Sequence, residues 1–393
     1  MTKNLPLLLV ISLITGCVEV DISVPSFPDI SNYFKISDGL TQMTIALNFF
    51  GFCLSSVFYG PLSDSFGRRK VMIIGNAIMM LGACGCAFSD SIEFLLFARV
   101  IQGIGAGTSA VVAFAMVADV YNAEKSAKLI GMMNSMITVF MSAAPIAGSF
   151  INKSLGWRGN YTTIAIISVV SWIMLYCWLP ETKNDVEKFE LKKIKKDYTK
   201  LLFSKEFFYA SITPSLLYGG WMSFIACGSL LYMETYNLPI MYYALHQGAI
   251  IGVFCITSLY CGQINSFFGM KNSVIYGTIF IMLGSISLLI VAIMFDNAPY
   301  ITTLSMTIFG IGAAITYPVI FAKSMDLFPD IKGTASSAIM ALRSLICSIF
   351  VAISSYLYSG KLLTVAAMVL IAAVLTSLVT IKLLKLIQFD IKN

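Results

Sequence analysis

Glu19, Asp21 and Arg99 are among the ionisable side chains that interrupt long apolar runs of this sequence, and charge at such positions is costly enough in lipid to default to a functional role. Glu19 and Asp21 lie in the first run, before Pro28, and Arg99 lies in the fourth, after Ile92. Taking Pro28 and Ile92 as the ends of their segments, a rise of 1.5 Å per residue puts Asp21 and Arg99 about 10 Å below the same surface. They are therefore expected to be depth-matched partners. A carboxylate that can approach or leave a guanidinium has a proton affinity set by their separation. Asp21 is thus the candidate proton carrier and Arg99 its switch; the plainer alternative is a static ion pair that fixes helix packing. Glu19 sits two positions from Asp21, about 200° around a regular helix. It is either a second proton site or faces a different neighbour.

The segments that must hold these groups are lipid-spanning helices. Of 393 residues, 58% are hydrophobic and only 12% charged, against about 25% charged in a typical soluble domain. Runs such as Val71–Phe88 and Leu362–Leu384 are continuous and as long as a bilayer core requires. Membrane barrels would show short alternating segments instead. Backbone amides in lipid must bond within their own segment, so each run should be a helix. The predicted fold class is an all-α membrane protein of twelve transmembrane helices. Its spans fall near 5–28, 41–62, 70–88, 93–119, 127–150 and 158–180, then 207–235, 241–266, 272–295, 300–325, 333–358 and 362–386.

Charge placement orients the chain. With both termini cytoplasmic, the inside receives Lys3, Arg68, Arg69, Lys70, Lys125, Lys128, the lysines of the central linker, Lys271, Lys323, Lys332, Lys382, Lys385 and Lys392. The outside receives only Lys35, Lys153, Arg158 and Lys361, as the positive-inside rule demands. A competing reading takes Lys3, Leu5–Ile14 and Ile14-Thr15-Gly16-Cys17 as a lipoprotein signal. Cleavage there would delete the first helix and break the alternation. The expected organisation is a six-helix bundle over 1–180, a cytoplasmic linker over 181–206 and a second bundle over 207–393. Within the linker, Leu191, Ile194, Tyr198 and Leu201 recur at helical spacing opposite a lysine-rich face. This fits an amphipathic helix on the anionic inner leaflet or a solvated tether; nucleic acid is not an expected partner.

Other chemistries lack their residues. Nine cysteines and one histidine offer no metal-ligand set, so no metal is expected. No nucleophile–base constellation is present, so the chain is not expected to be an enzyme. No phosphate-cradling Gly-x-x-x-x-Gly-Lys-Ser/Thr occurs, and Gly103, Gly105 and Gly107 sit inside an apolar helix rather than after a strand, so no nucleotide cofactor is expected. Close helix packing is the better reading of those glycines. Glu234 and His246 look like rim residues, while Arg343 lies deep in the eleventh span with no assigned acid.

The halves echo each other. Gly103-Ile104-Gly105-Ala106-Gly107, followed by Asp119 and Lys125, matches Gly310-Ile311-Gly312-Ala313-Ala314, followed by Asp326 and Lys332; Gly60 and Gly67 match Gly262 and Gly269. Parallel repeats of this kind place a substrate site between two pseudo-symmetric bundles, near the midplane.

The loop Gly60-Pro61-Leu62-Ser63-Asp64-Ser65-Phe66-Gly67-Arg68-Arg69-Lys70 resembles the signature of the major facilitator superfamily. Arg99-Val100-Ile101-Gln102-Gly103 resembles its Arg-x-x-Gln-Gly element, and Ala144-Pro145-Ile146-Ala147-Gly148 its antiporter motif, with alanine in place of the first glycine. Leu179-Pro180-Glu181-Thr182 ends the sixth span as in many exporters. Asp21-Ile22-Ser23-Val24-Pro25-Ser26-Phe27-Pro28 and Gly333-Thr334-Ala335-Ser336-Ser337 resemble elements of the Bcr/CflA drug-resistance transporters. The resemblance implies a monomeric, proton-coupled antiporter that exports drugs or small organic metabolites across a bacterial inner membrane. The alternative on the same fold is a symporter or facilitator importing a nutrient. It further implies a central cavity with Gln102, Tyr218, Trp221, Phe224 and Tyr317 as candidates, whose aromatic faces suit lipophilic or cationic ligands. The same resemblance makes Gly60, Asp64, Gly67, Arg68, Arg69, Asp119, Pro145 and Gly148 a conformational gate that breaks when the halves rock.

Overall fold

The computed structural model describes residues 4–183, 189–295, 297–328 and 331–387. Eleven helices among the described residues are long and apolar enough to cross a bilayer. One of them, α6 (Ala123–Trp178), has double length and departs from helical geometry at Gly156, where φ is +69°. Met133 and Leu175 both pack with Leu5, whereas Trp157 and Tyr161 pack with Phe27. The chain therefore reverses at Gly156, and α6 supplies the fifth and sixth of twelve crossings.

The first crossing is longer than the expected 5–28. It comprises α1 (Leu5–Ser23), a 3₁₀ turn (Val24–Ser26) and α2 (Phe27–Phe34). Pro25 and Pro28 do not end it, because each falls in the first turn of a new segment, where a missing N–H costs nothing. The remaining first-half crossings are α3 (Asp38–Phe66), α4 (Arg68–Ala87) and α5 (Ile92–Val120). After the linker helix α7 (Leu191–Phe203) come α8 (Lys205–Leu230), extended by a π-turn (Leu231–Thr235), and α9 (Ile240–Leu259) with the short α10 (Cys261–Phe268). Then follow α11 (Met270–Met294), α12 (Pro299–Asp326), α13 (Lys332–Leu357) and α14 (Leu362–Leu386).

The glycine echoes are contact echoes. Gly82 faces the backbone of Gln102 as Gly284 faces that of Phe309, and Gly105 faces Met79 as Gly312 faces Ile281. Gly67 and Gly269 make the same turn, with φ of +91° and +79°. The charges of the motif loop are echoed only in part: Lys271 stands where Arg69 does, but Met270 replaces Arg68 and Ser266 replaces Asp64.

α7 is amphipathic but does not present its apolar stripe to lipid alone. Leu201 is buried with Phe207 and Ile339, and Tyr198 donates to the Val57 carbonyl at 2.8 Å. Burial between α3 and α13 pushes the Tyr198 phenol pKa up. The helix thus lies against both halves, while Leu191, Leu202 and Phe203 remain exposed.

The halves meet along α3–α13 and α6–α9. Ser348 donates to the Ala46 carbonyl at 2.8 Å, and Ser142 and Cys255 share a contact of 2.6 Å. On the side remote from the linker (the far side), one apolar cluster joins both halves: Phe27 and Ile30 with Leu230, Tyr236 and Tyr243. Every residue from Glu19 to Pro28 and from Met222 to Tyr232 is buried. Toward the linker the clusters around Leu5 and around Ala210 are separate, while α3 and α13 stay packed through Phe52 and Met340. There Leu7 is exposed and Ile11, Ile14 and Val18 are half-buried, a helical stripe leading inward to Asp21. The interface is sealed on the far side and opens toward the linker.

Glycine proximity is testable. A Cβ at Gly103 would overlap the Asn48 carbonyl, whereas one at Gly252 meets nothing within 4 Å. Gly103→Ala should lower stability by about 1–3 kcal/mol, the usual cost of overpacking, and Gly252→Ala should be neutral. Thermal melts of the two variants in detergent check this, and equal melting would contradict the α3–α5 contact.

Candidate functional site

Arg99 has no access to solvent, so its charge must be answered by protein groups. Its carboxylate partner is Glu19, with Nη1 at 3.7 Å from Oε2. The other Glu19 oxygen accepts from Asn48 Nδ2 at 3.0 Å, and the same amide reaches the Arg99 carbonyl at 3.3 Å. Arg99 donates from Nη1 to Gln102 Oε1 at 2.7 Å and from Nε to the Thr44 carbonyl at 3.3 Å. The Tyr161 ring lies 5.9 Å from the guanidinium. One buried cluster therefore ties α1, α3, α5 and α6 together.

The expected Asp21–Arg99 pair is not formed. The depth estimate took Pro28 as the helix end, but the helix continues to Phe34, and the α1 face that meets α5 carries Glu19. Asp21 lies on the opposite face. It is 5% exposed and makes no ion pair or hydrogen bond that can be identified among the described residues. Gly148 lets α6 approach within overlap distance of the Ile22 carbonyl, if it bore a Cβ. The Pro145–Gly148 element thus packs beside Asp21 rather than at a charged gate.

Toward the interface lie Tyr218, Trp221, Tyr317 and Arg343, all half-buried. Arg343 Nη1 donates to the Tyr317 hydroxyl at 2.9 Å, and its guanidinium stacks 4.8 Å from the Tyr218 ring centre. Trp221 packs on Phe254 and Phe309. Two expected cavity residues do not line a chamber: Gln102 is consumed by Arg99, and Phe224 is buried in the far-side seal against Tyr232. His246 is no rim residue either, being enclosed by Tyr232 and Tyr300 with Nδ1 at 2.7 Å from Thr303 Oγ1. Glu234 does remain exposed.

The motif loop forms a second charge cluster at the linker side. Arg68 pairs with Asp64 at 2.7 Å and Asp119 at 2.9 Å, and Lys183 reaches Asp64 at 3.0 Å. Glu181 accepts from the backbone N–H groups of Arg68 at 2.9 Å and Arg69 at 3.1 Å, so it caps α4 from outside. Gly67 provides both the positive φ and the room, since a Cβ there would meet Glu181 Oε2 at 2.6 Å. Arg69 donates to the Leu179 and Tyr176 carbonyls at 2.7 and 2.8 Å. All these partners belong to the first half or the start of the linker. Among the described residues, none is an ion pair between halves; in this form, open toward the linker, the charges hold the first half together as a staple. Gly60 alone touches the other half, where it faces Ser337 of α13. Asn48 and Thr44 escaped the sequence analysis, where a neutral polar residue in an apolar run was the available signal; Glu181 was noted there in its motif, but not as a cap of α4.

Comparisons with known proteins agree with this fold. The pattern describing the Major Facilitator Superfamily matches residues 9–351. The chain is 23% identical to multidrug resistance protein MdtM of Escherichia coli K12, over 91% of this chain and 87% of that protein. It is 24% identical to the bicyclomycin resistance protein homolog of Haemophilus influenzae, over 89% and 87%. Among solved structures, a partially occluded inward-open form of the xylose transporter XylE from E. coli superposes with a TM-score of 0.76 at 14% identity, covering 98% of this chain and 97% of that one.

The two acids of α1 should behave differently. Glu19→Gln leaves the buried Arg99 without a counter-ion and should cost about 3–5 kcal/mol, whereas Asp21→Asn removes no partner and should leave the fold near its original stability. Thermal unfolding in detergent distinguishes them; the reverse order would contradict the assignment of Glu19 as the structural partner.

Proposed function

The chain belongs to the major facilitator superfamily, and on that premise we propose that it is a proton-coupled antiporter exporting drugs or small organic metabolites across a bacterial inner membrane. The observation that carries the reading is Asp21: a carboxylate in the middle of a crossing, unpaired, at the inner end of a passage from the linker side. Such a group can take up or release a proton without dismantling the helix packing that Glu19 and Arg99 maintain.

Positive charge gathered on the linker side supports placing that side, with both termini, in the cytoplasm. The chamber then faces the cytoplasm, the compartment from which an exporter loads. The names of relatives associated with multidrug and bicyclomycin resistance support drug-like cargo.

Alternating access follows from the division into 1–180 and 207–393, joined by the linker 181–206. The α3–α13 and α6–α9 contacts serve as hinges. The Arg68–Asp64–Asp119 staple and the Glu181 cap keep α3, α4, α5 and the end of α6 moving as one piece. Cargo bound in the chamber and a proton on Asp21 occupy opposite orders of the cycle, one leaving outward and the other returning. A single chain contains all these parts, so the working unit is a monomer.

Inverted membrane vesicles test the reading. With a cargo compound chosen from a resistance screen, an imposed pH gradient should drive uptake into wild-type vesicles. Asp21→Asn should reduce that uptake at least about tenfold while the protein still folds and inserts. Full gradient-driven transport by the folded variant would reject Asp21 as the coupling site, and uptake in the opposite vesicle orientation would indicate import.

A further inference from the structure

Two arginines occupy the middle of this protein, and only one is neutralised. Arg99 has Glu19, Gln102 and a carbonyl. At the equivalent register of the second half, α12 carries the buried Met306, and the second half places its arginine on α13 instead. Arg343 is about 16 Å from the linker-side start of α13 at a rise of 1.5 Å per residue, hence near the middle of the crossing. Its charge rests on a phenol oxygen and an aromatic face. No carboxylate pairs with it among the described residues, and its Nε is buried without a hydrogen-bond partner. Asp21 does not fill that role.

A half-buried guanidinium with a buried, unpartnered donor is poorly satisfied unless something anionic meets it. Its planar fork matches a carboxylate with two parallel N–H···O bonds. Around it, Tyr218 stands edge-on to Phe49 and Tyr317 stacks on Phe321 with planes 8° apart, forming aromatic walls for an apolar body. We infer that Arg343 is the anion anchor of the transport chamber and that the cargo class is amphipathic organic carboxylates, with the acid group on Arg343 and the ring system against Tyr218 and Tyr317. This deepens the transporter reading above and rests on it. It also narrows the expectation from aromatic content alone, which favoured lipophilic or cationic ligands.

The test is equilibrium binding in detergent at neutral pH, without any gradient. Three probes share one ring and differ in charge: 2-naphthoate, 2-naphthamide and 2-naphthylmethylammonium. Wild-type protein should be stabilised against thermal unfolding most by naphthoate, and R343Q should weaken naphthoate binding about tenfold or more, as loss of a charged hydrogen-bond pair predicts, while leaving naphthamide unchanged. R343K should retain part of the preference, because lysine keeps the charge but loses the fork; if R343Q does not fold, R343K carries the test by weakening naphthoate selectively. Absence of a carboxylate preference in the wild type, or its survival in folded R343Q, overturns the proposal. Gradient-driven export of cations without that preference would remove the anion site and leave the antiporter reading intact. A preserved preference in a protein indifferent to Asp21 would do the reverse.

Discussion

A guanidinium that water cannot reach has to be satisfied by its own protein, and in this molecule that demand organises the first half. Arg99 collects a carboxylate from α1, an amide and a carbonyl from α3, and a glutamine one turn along its own helix. Lipid offers no driving force for one apolar helix to choose another, so polar contacts of this sort, together with glycine faces, select neighbours. Once α1 is turned so that Glu19 meets Arg99, its opposite face necessarily presents Asp21 and Cys17 to the interface between halves. The structural ion pair and the free carboxylate are two outcomes of one rotation.

The second organising device lies at the linker side. Glu181 leaves the end of α6 to accept the first N–H groups of α4, which a helix otherwise leaves unsatisfied. Arg68 meanwhile bridges α3 and α5 through Asp64 and Asp119. Four crossings are thereby locked at one level, and the linker is anchored where it begins. The equivalent turn at Gly269 keeps the backbone geometry but lacks the counterparts of Arg68 and Asp64. The two halves share a scaffold and differ in its reinforcement.

Much of this fold was legible because lipid permits few answers: continuous apolar runs must be helices, and basic residues sort by side. The repeat was legible because close helix contacts demand glycine, and glycine at equal spacing survives as a visible pattern. Which acid faces Arg99 was not legible. Depth follows from counting residues, but azimuth follows from packing, and Glu19 and Asp21 differ mainly in azimuth. Prolines also misled, since Pro28 can begin a helical segment as readily as follow one. Phe224 and Gln102 illustrate the same limit: residue type suits a cavity lining, yet neighbours had already enclosed both. The Glu181 cap could not be foreseen without knowing that the sixth crossing ends beside the start of the third.

The apolar plug formed by Phe27, Ile30, Leu230, Tyr236 and Tyr243 has an energetic consequence. Opening that side wets hydrocarbon at about 25 cal/mol per Å², so each 100 Å² exposed to water disfavours the opened form by about 2.5 kcal/mol, nearly two powers of ten in population. On the proposed cycle, the empty protein waits with its mouth toward the linker, and whatever occupies the chamber must supply the differential binding that tips it over.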